Sequence, residues 1–482
     1  NKVANYAYDI FFNLSRGIVL GIDLGILGIQ AAELSARNPK LAFQAFKDGA
    51  RALISEEEYL KQSARRKENP DYRVMRKSKL ALVNPHAHEG DVNKEEAALG
   101  QLTEKIWDQA WASLSTELEP VIPYKTARSI ERLGQKVNPI SALNRAQAAY
   151  MNTLRAGTLL EGMALLKSRG ITYQNNPEAY HQFADAVNTL SGRASLAGIE
   201  AAPTAYKALT AVFLSPRNWA SILKTATPYA FAHFGRMNAG RAKFNPKKPS
   251  TYLSPAQRLY AEAMVARVGF TLGTIILTKL LSGWNDDEDK EKKDKITVNL
   301  DDPTASDYMT IRLNNQMFDP WGGKRTQIVL QARLAAAALD MDRQYTNIHT
   351  REKSKLGEGD APFAWELIGD NAYNKLNLWP QYGIKRFLNS SPVEGEEDLR
   401  VDGDGFKFRP SDELRNLYTP MTFPTAKETW GHQHGLVLPF ALAQGFIGVG
   451  VTTLDKERVQ STPTRPTRPK RPMSKIRRGI LP

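Results

Sequence analysis

The chain has 482 residues, 42% of them apolar and 24% charged, with 65 basic against 51 acidic side chains and a formal charge of +14. That length allows roughly three domains' worth of core, and the composition is that of globular proteins rather than disordered or membrane-embedded chains. The absence of cysteine excludes disulfides, thiolate catalysis and Cys-type zinc modules, while the positive surplus predicts polyanionic partners, either nucleic acid or an anionic lipid surface.

The chain begins at Asn1 rather than Met, so the sequence reads as a processed product or as part of something longer. Its opening, "NKVANYAYDIFFNLSRG", lacks the basic start and small-residue cleavage pattern of a signal peptide. Almost everything that follows reads as helix. "AAELSARNPKLAFQAFKDGARAL" (31–53) and "ISALNRAQAAYMNTLRAGTLLEGMALLKSRG" (140–170) place apolar residues three and four apart, the pattern of amphipathic helices. In the second, Leu143, Ala146, Tyr150, Leu154 and Leu159 fall on one stripe, with Pro139 just ahead and Ser141 as the expected cap. "NPEAYHQFADAVNTLSGR" opens on a helix-entry pair, Asn176-Pro177, and ends near Gly192. Prolines at 203, 216, 228, 246, 249 and 255 then divide the chain into short helices and turns.

The expected fold is mainly α, a multi-helix assembly module with one small β-hairpin at about 308–319 and a disordered basic C-terminal tail. Six segments are expected. An N-terminal helical region (1–130) and a central helical domain (131–284) lead to a charged linker, "NDDEDKEKKDK" (285–295), which has no apolar residue. Next come a hairpin plus helix (296–345) and a helical or irregular region with a Gly-rich apolar segment (346–457). The tail (458–482) carries eight basic residues, five prolines and no acid. Proline every third residue favours an extended chain that buries too little to fold. Arg465, Arg468, Lys470, Arg471, Lys475, Arg477 and Arg478 make it either a solvated terminus or an arm on phosphates whose grip weakens with salt.

Three apolar stretches carry glycines. Gly17, Gly21 and Gly25 stand four apart, as do Gly269 and Gly273, and "GLVLPFALAQGFIGVGVTTL" (435–454) has twenty uncharged residues with Gly445, Gly448 and Gly450. Small residues at this spacing let a second helix backbone approach closely. A membrane span needs about 20 apolar residues, which Asp23 interrupts in the first stretch and which the second lacks between Arg267 and Lys279. In the third, Pro439 weakens helix formation. Two readings stay open: buried helix–helix packing, or lipid contact after rearrangement.

Candidate chemistry is sparse. His86 and His88 in "NPHAHEGD", and His432 and His434 in "GHQHG", form His-x-His pairs able to ligate zinc given a third ligand; a polar loop is the alternative. "VDGDGFKF" (401–408) lacks the remaining positions of a calcium loop, and "GGKRT" (322–326) lacks the first glycine of a phosphate-binding loop. No cofactor is expected. The densest stretch is "DPTASDYMTIRLNNQMFDPWGGKRTQIVLQARL" (302–334). Tyr308–Leu313 and Gln316–Phe318 flank Asn314-Asn315, and Asn tolerates the positive φ of a two-residue turn. Asp319-Pro320 ends the pairing, Gly322-Gly323 relaxes the backbone, and a helix follows. Asp307 and Asp319 are then turn and helix-entry residues; the competing reading makes them an acid/base pair in one cleft.

"SDYMTIRLNNQMFDPWGG" followed by "QARLA" resembles an element near the C-terminus of the large polyvalent and internal virion (ejection) proteins of tailed bacteriophages. Further stretches match in the same order: "ALNRAQAAYMNTL", "AVNTLSGRASL" with Asn188, Gly192 and Arg193, "VFLSPRNWAS" with Ser215, Pro216 and Arg217, and "GFIGVGVTTL". The ordered string covers about 130–454, while residues 1–130 fit more loosely. The mixed-charge insert and the long basic tail depart from it. The resemblance implies a non-catalytic module packaged in the virion and delivered into the host envelope during genome ejection. The partners it implies are portal, tail or other ejection proteins, phage DNA, the host membrane and further copies of the same chain. A non-specific DNA-binding phage protein, and the non-catalytic end of a very large enzyme-bearing protein, are the alternatives.

Overall fold

The computed structural model describes residues 25–83, 139–283 and 297–373, apart from short breaks in the latter two spans, together with 450–453. The described part is mainly helical, as the periodicity predicts. It opens with α1 (Gly25–Arg37) and α2 (Pro39–Ile54), then α3 (Glu56–Glu68) and α4 (Tyr72–Lys77). The run over 31–53 is therefore two helices rather than one. Pro39 lacks the N–H a continuing helix needs, and Asn38 leaves helical geometry at φ −133° while its side chain accepts from the Leu41 amide at 3.0 Å. Ser55 repeats the device for α3, accepting from the Glu58 amide at 3.3 Å. Three glutamates then occupy the first turn of α3 and Arg65, Arg66 and Lys67 the last, matching the helix dipole.

The central element is α5 (Pro139–Ser168), on which the N-terminal helices pack. Ser141 lies inside this helix instead of capping it, and its hydroxyl accepts from Arg145 Nη1 at 2.9 Å. Next, α6 (Pro177–Leu190) is entered at Asn176, whose side chain accepts from the Ala179 amide at 3.1 Å, as the Asn-Pro pair predicts. Then α7 (Pro216–Ala226), α8 (Tyr229–Gly235) and the long α9 (Pro255–Gly283) complete the helical body. Its core gathers Leu34, Met75 and Leu80 with Leu159, Met163 and Leu166 of α5, Phe183, Val187 and Leu190 of α6, and Leu259 of α9. Phe234 of α8 stacks on Tyr260 of α9 with ring centroids 4.0 Å apart.

Beyond α9 lies a small mixed unit. β1 (Thr297–Val298), β2 (Ile311–Leu313) and β3 (Gln316–Asp319) form an antiparallel sheet completed by β6 (Gly450–Thr453), in the order β1-β2-β3-β6. β2 and β3 pair with Leu313 opposite Gln316, so the hairpin loop is two residues, as predicted. The first strand is shorter than predicted. Met309 has φ +58° and its amide donates to Asn299 O at 2.7 Å, a turn conformation that delays pairing until Ile311. After β3 come α10 (Arg325–Ala338), the two-stranded pair β4 (Tyr345–Thr346) and β5 (Lys353–Ser354), and α11 (Ala364–Tyr373).

Gly17, Gly21, His86, His88, the 285–295 linker, Gly322, Gly323, residues 401–408, His432, His434, Gly445, Gly448 and the basic residues Arg465–Arg478 lie outside the described residues.

Candidate functional site

Three places concentrate polar or exposed chemistry, and the first gathers most of the motif residues. Helix α6 ends in a Schellman turn: Gly192 takes φ +78°, and the Arg193 amide donates back to Asn188 O at 2.8 Å. The Asn188 side chain lies against the segment 79–83, which leaves α4 through a turn at Lys79 with φ +63°. Asn188 accepts from the Ala81 amide at 2.9 Å and donates to Lys79 O at 3.0 Å. Asn152 of α5 does the same at Val83, with both bonds at 2.7 Å. Between them the guanidinium of Arg155 donates to Ala81 O, to the Ser191 hydroxyl and to Ser191 O at 2.8–2.9 Å. Arg155 and Asn152 are fully buried. A charge so enclosed is tolerated because carbonyl dipoles take up its donors.

The Ser-Pro-Arg element adjoins this hub. Ser215 and Pro216 start α7, where Ser215 O accepts from the Trp219 amide at 3.0 Å. Arg217 reaches the carbonyls of Arg193 and Ala194 at 3.4 and 3.5 Å, and the Ser221 hydroxyl accepts from the Ala194 amide at 2.8 Å. Thus Asn188, Gly192, Arg193, Ser215, Pro216 and Arg217 converge, and these bonds run to backbone. They clamp loops against helices.

The second place is the junction between the helical body and the mixed unit. Lys324, just before α10, is almost completely enclosed, pairs with the buried Glu33 of α1 and donates to Thr225 Oγ1 of α7 at 2.8 Å. Burial pushes its ammonium below the ordinary lysine value, and Glu33 opposes that. Arg267 of α9, 2% exposed, donates to Pro320 O at the end of β3, and burial likewise lowers its value. Two buried cations from opposite sides therefore tie the mixed unit down. Sequence reading missed them: Glu33 and Lys324 are separated by most of the chain, and Arg267 served only to delimit an apolar run.

Asp307 and Asp319 are both buried, and each has its own arginine. Asp307 accepts from Asn299 Nδ2 at 3.0 Å and pairs with Arg312 Nη2 at 3.0 Å. Asp319 accepts from the Trp321 amide at 2.9 Å and lies 3.3 Å from Arg325 Nε. Asp319 thus serves a turn, as expected, but does not cap the following helix, whose cap position is Lys324, with no side-chain cap bond. A third buried acid, Asp302, is held below the usual carboxylate range because the hydroxyls of Thr304 and Thr346 and the Thr304 amide outweigh its burial. Among the described residues, no group of three or more His, Cys, Asp and Glu is arranged to hold a metal ion.

The third place is the outer face of α9. Val265, Val268, Gly269, Leu272, Gly273 and Ile276 share one face and all are exposed, Val265 by 74% and Ile276 by 57%. A Cβ added at Gly269 or Gly273 would meet nothing within 4 Å. Of the two readings left open for these glycines, packing within the chain does not use them, because α9 packs on its neighbours through its opposite side. The glycines that do admit close neighbours are others. A Cβ at Gly49 would stand 3.2 Å from Ala146 O, one at Gly157 2.6 Å from the Leu41 side chain, and one at Gly162 2.1 Å from the Phe183 ring. Gly25 is the first residue of α1, and Gly450 lies in strand β6 opposite Asp319, not on a helix face. No helix of the described residues is long and apolar enough to cross a membrane.

Comparison with protein-family models, curated proteins and solved structures finds no match.

Proposed function

We propose that this chain is a structural helical module of an internal virion, or ejection, protein of a tailed bacteriophage. It is packaged in the particle and delivered into the host envelope during genome ejection, where it forms part of a DNA conduit. It acts by packing, not by catalysis. Its partners are portal, tail or other ejection proteins, further copies of itself, the host membrane, and phage DNA drawn by the +14 charge.

The phage context comes from the ordered sequence resemblance. The observation that carries the assembly role is the outer face of α9: an uninterrupted apolar strip from Val265 to Ile276, ~16 Å long at 1.5 Å per residue, with two glycines open to an approaching backbone. Exposed strips of this kind mark interaction surfaces. The motif residues Asn188 and Arg217 are consistent with a structural role, because their bonds fix loops to helices.

The test compares purified virions with ghosts emptied of DNA by quantitative mass spectrometry. The polypeptide is expected in virions and absent from ghosts. Retention in ghosts indicates a static structural role, and absence from virions ends the reading.

A further inference from the structure

A different surface, on α2, has a chemistry that α9 lacks. The inner side of α2 buries Ala45, Gly49 and Ala52 against α5. Its outer side carries Phe43, Phe46, Leu53 and Ile54, all exposed, Ile54 by 87% and Phe43 by 60%. At 100° per residue these four occupy one broad band pointing away from the core. Along one border of that band run Lys40, Lys47 and Arg51, also exposed. Lys47 Nζ lies over the Phe43 ring at 4.5 Å. The one acid of α2, Asp48, is turned inward, accepting from Thr153 Oγ1 of α5 at 2.9 Å and from Gln44. Other acids stand at the two ends of α2: Glu161 accepts from Asn38 and Arg37 at its start, and Glu56, Glu57 and Glu58 open α3, the last two pairing with Lys61.

We propose that the outer face of α2 docks on an anionic lipid bilayer. Leaving two phenylalanines, a leucine and an isoleucine in water is costly, and the band matches the shallow seat an interfacial helix takes, about 5–10 Å into the headgroup boundary. The cations argue for lipid over a purely apolar partner. They sit on a single border, where they reach headgroup phosphates while the apolar band enters the acyl boundary. Each adds about five-fold to binding at an anionic surface. α2 thus lies on the membrane without crossing it. The proposal does not depend on packaging in a virion.

The test is co-sedimentation of the full chain with vesicles of phosphatidylcholine alone or with 30% (roughly physiological) phosphatidylglycerol, at 0.15 M salt where surface charges are partly screened. Binding to the anionic vesicles is expected. Phe43→Ser/Ile54→Ser should abolish it, and Lys40→Ala/Lys47→Ala/Arg51→Ala should weaken it on the order of 100-fold. All these side chains are exposed, so both variants should keep the parent's circular dichroism; a variant that loses it is replaced by Phe43→Gln/Ile54→Gln. Because the chain lacks cysteine, Ile54→Cys carries a single nitroxide. With anionic vesicles that label should be shielded from a water-soluble relaxant and reached by oxygen. Failure to bind anionic vesicles, equal binding by the serine variant, or a label left in water each overturns the proposal. So does retention on DNA with no vesicle binding, which reassigns the cations to nucleic acid. None of these outcomes affects the comparison of virions with ghosts.

Discussion

Replacing Lys324 with methionine isolates the junction that fixes the mixed unit to the helical body. The ammonium lies in an almost completely enclosed site, pairs with Glu33 and donates to Thr225. Methionine keeps the stem but removes the charge, leaving a 2% exposed carboxylate without its closest cation. Breaking a buried pair from one side costs about 3–5 kcal/mol. The charge of Arg267 also acts on Glu33's surroundings, so the lower end, about 3 kcal/mol, is expected. In a domain of this size that lowers the melting temperature by roughly 6–12 °C. The companion variant Glu33→Leu/Lys324→Met removes both charges, and an apolar replacement of a buried pair is often neutral or stabilising. The double variant should recover most of the loss, giving a coupling energy of about 2 kcal/mol or more. Thermal and urea unfolding of parent, both single variants and the double complete the cycle. A single variant within about 1 kcal/mol of the parent, or a double variant as damaged as the sum of the singles, refutes the reasoning.

Other sites give independent expectations. His233 on α8 is pushed down to about 4, first by burial and then by the charges of Lys224 and Arg236, so near neutral pH its 3.8 Å approach to Asp185 is not an ion pair. The unfolded chain, with the ordinary value of about 6.5, takes up this proton first. Stability is therefore full above about pH 6.5 and falls as pH drops toward 4, by about 2 kcal/mol after allowance for solvent screening. His233→Gln should flatten that part of the melting-temperature profile; parallel profiles would dismiss the effect. Gly162→Ala places a Cβ against the Phe183 ring and should cost about 1–3 kcal/mol, read as a shift in urea midpoint. Asn152→Ala removes both bonds to Val83, so hydrogen exchange at Val83 should accelerate by at least about ten-fold (1.4 kcal/mol) while the α6 core stays protected.

What the sequence disclosed follows from the range of the forces involved. Caps and turns act over three or four residues, so Asn176-Pro177, Gly192 and the two-residue hairpin were legible from neighbours alone. The break at Asn38-Pro39 was equally local, but a continuous apolar period across it masked the signal. The hub around Arg155 and the Lys324–Glu33 pair were illegible for the opposite reason. Each joins segments far apart in the chain, and nothing in a lone arginine or lysine marks it as buried. The glycines show the same limit. Four-residue spacing suited Gly269 and Gly273 for close packing, yet the close approaches fall at Gly49, Gly157 and Gly162, where facing helices place Ala146, Leu41 and Phe183. Spacing says that a helix can come near; only the fold says which one does.

The central claim is that the outer face of α9 is the module's assembly surface. Gly269→Leu/Gly273→Leu tests it most directly, because a Cβ at either position meets nothing within 4 Å and the added bulk starts into open space. The measurement is the copy number of the variant in purified particles relative to parent, by quantitative mass spectrometry, with circular dichroism confirming the fold. The account predicts a folded protein incorporated at least about ten-fold less (1.4 kcal/mol of lost interface energy). Incorporation at the parent's copy number would contradict it.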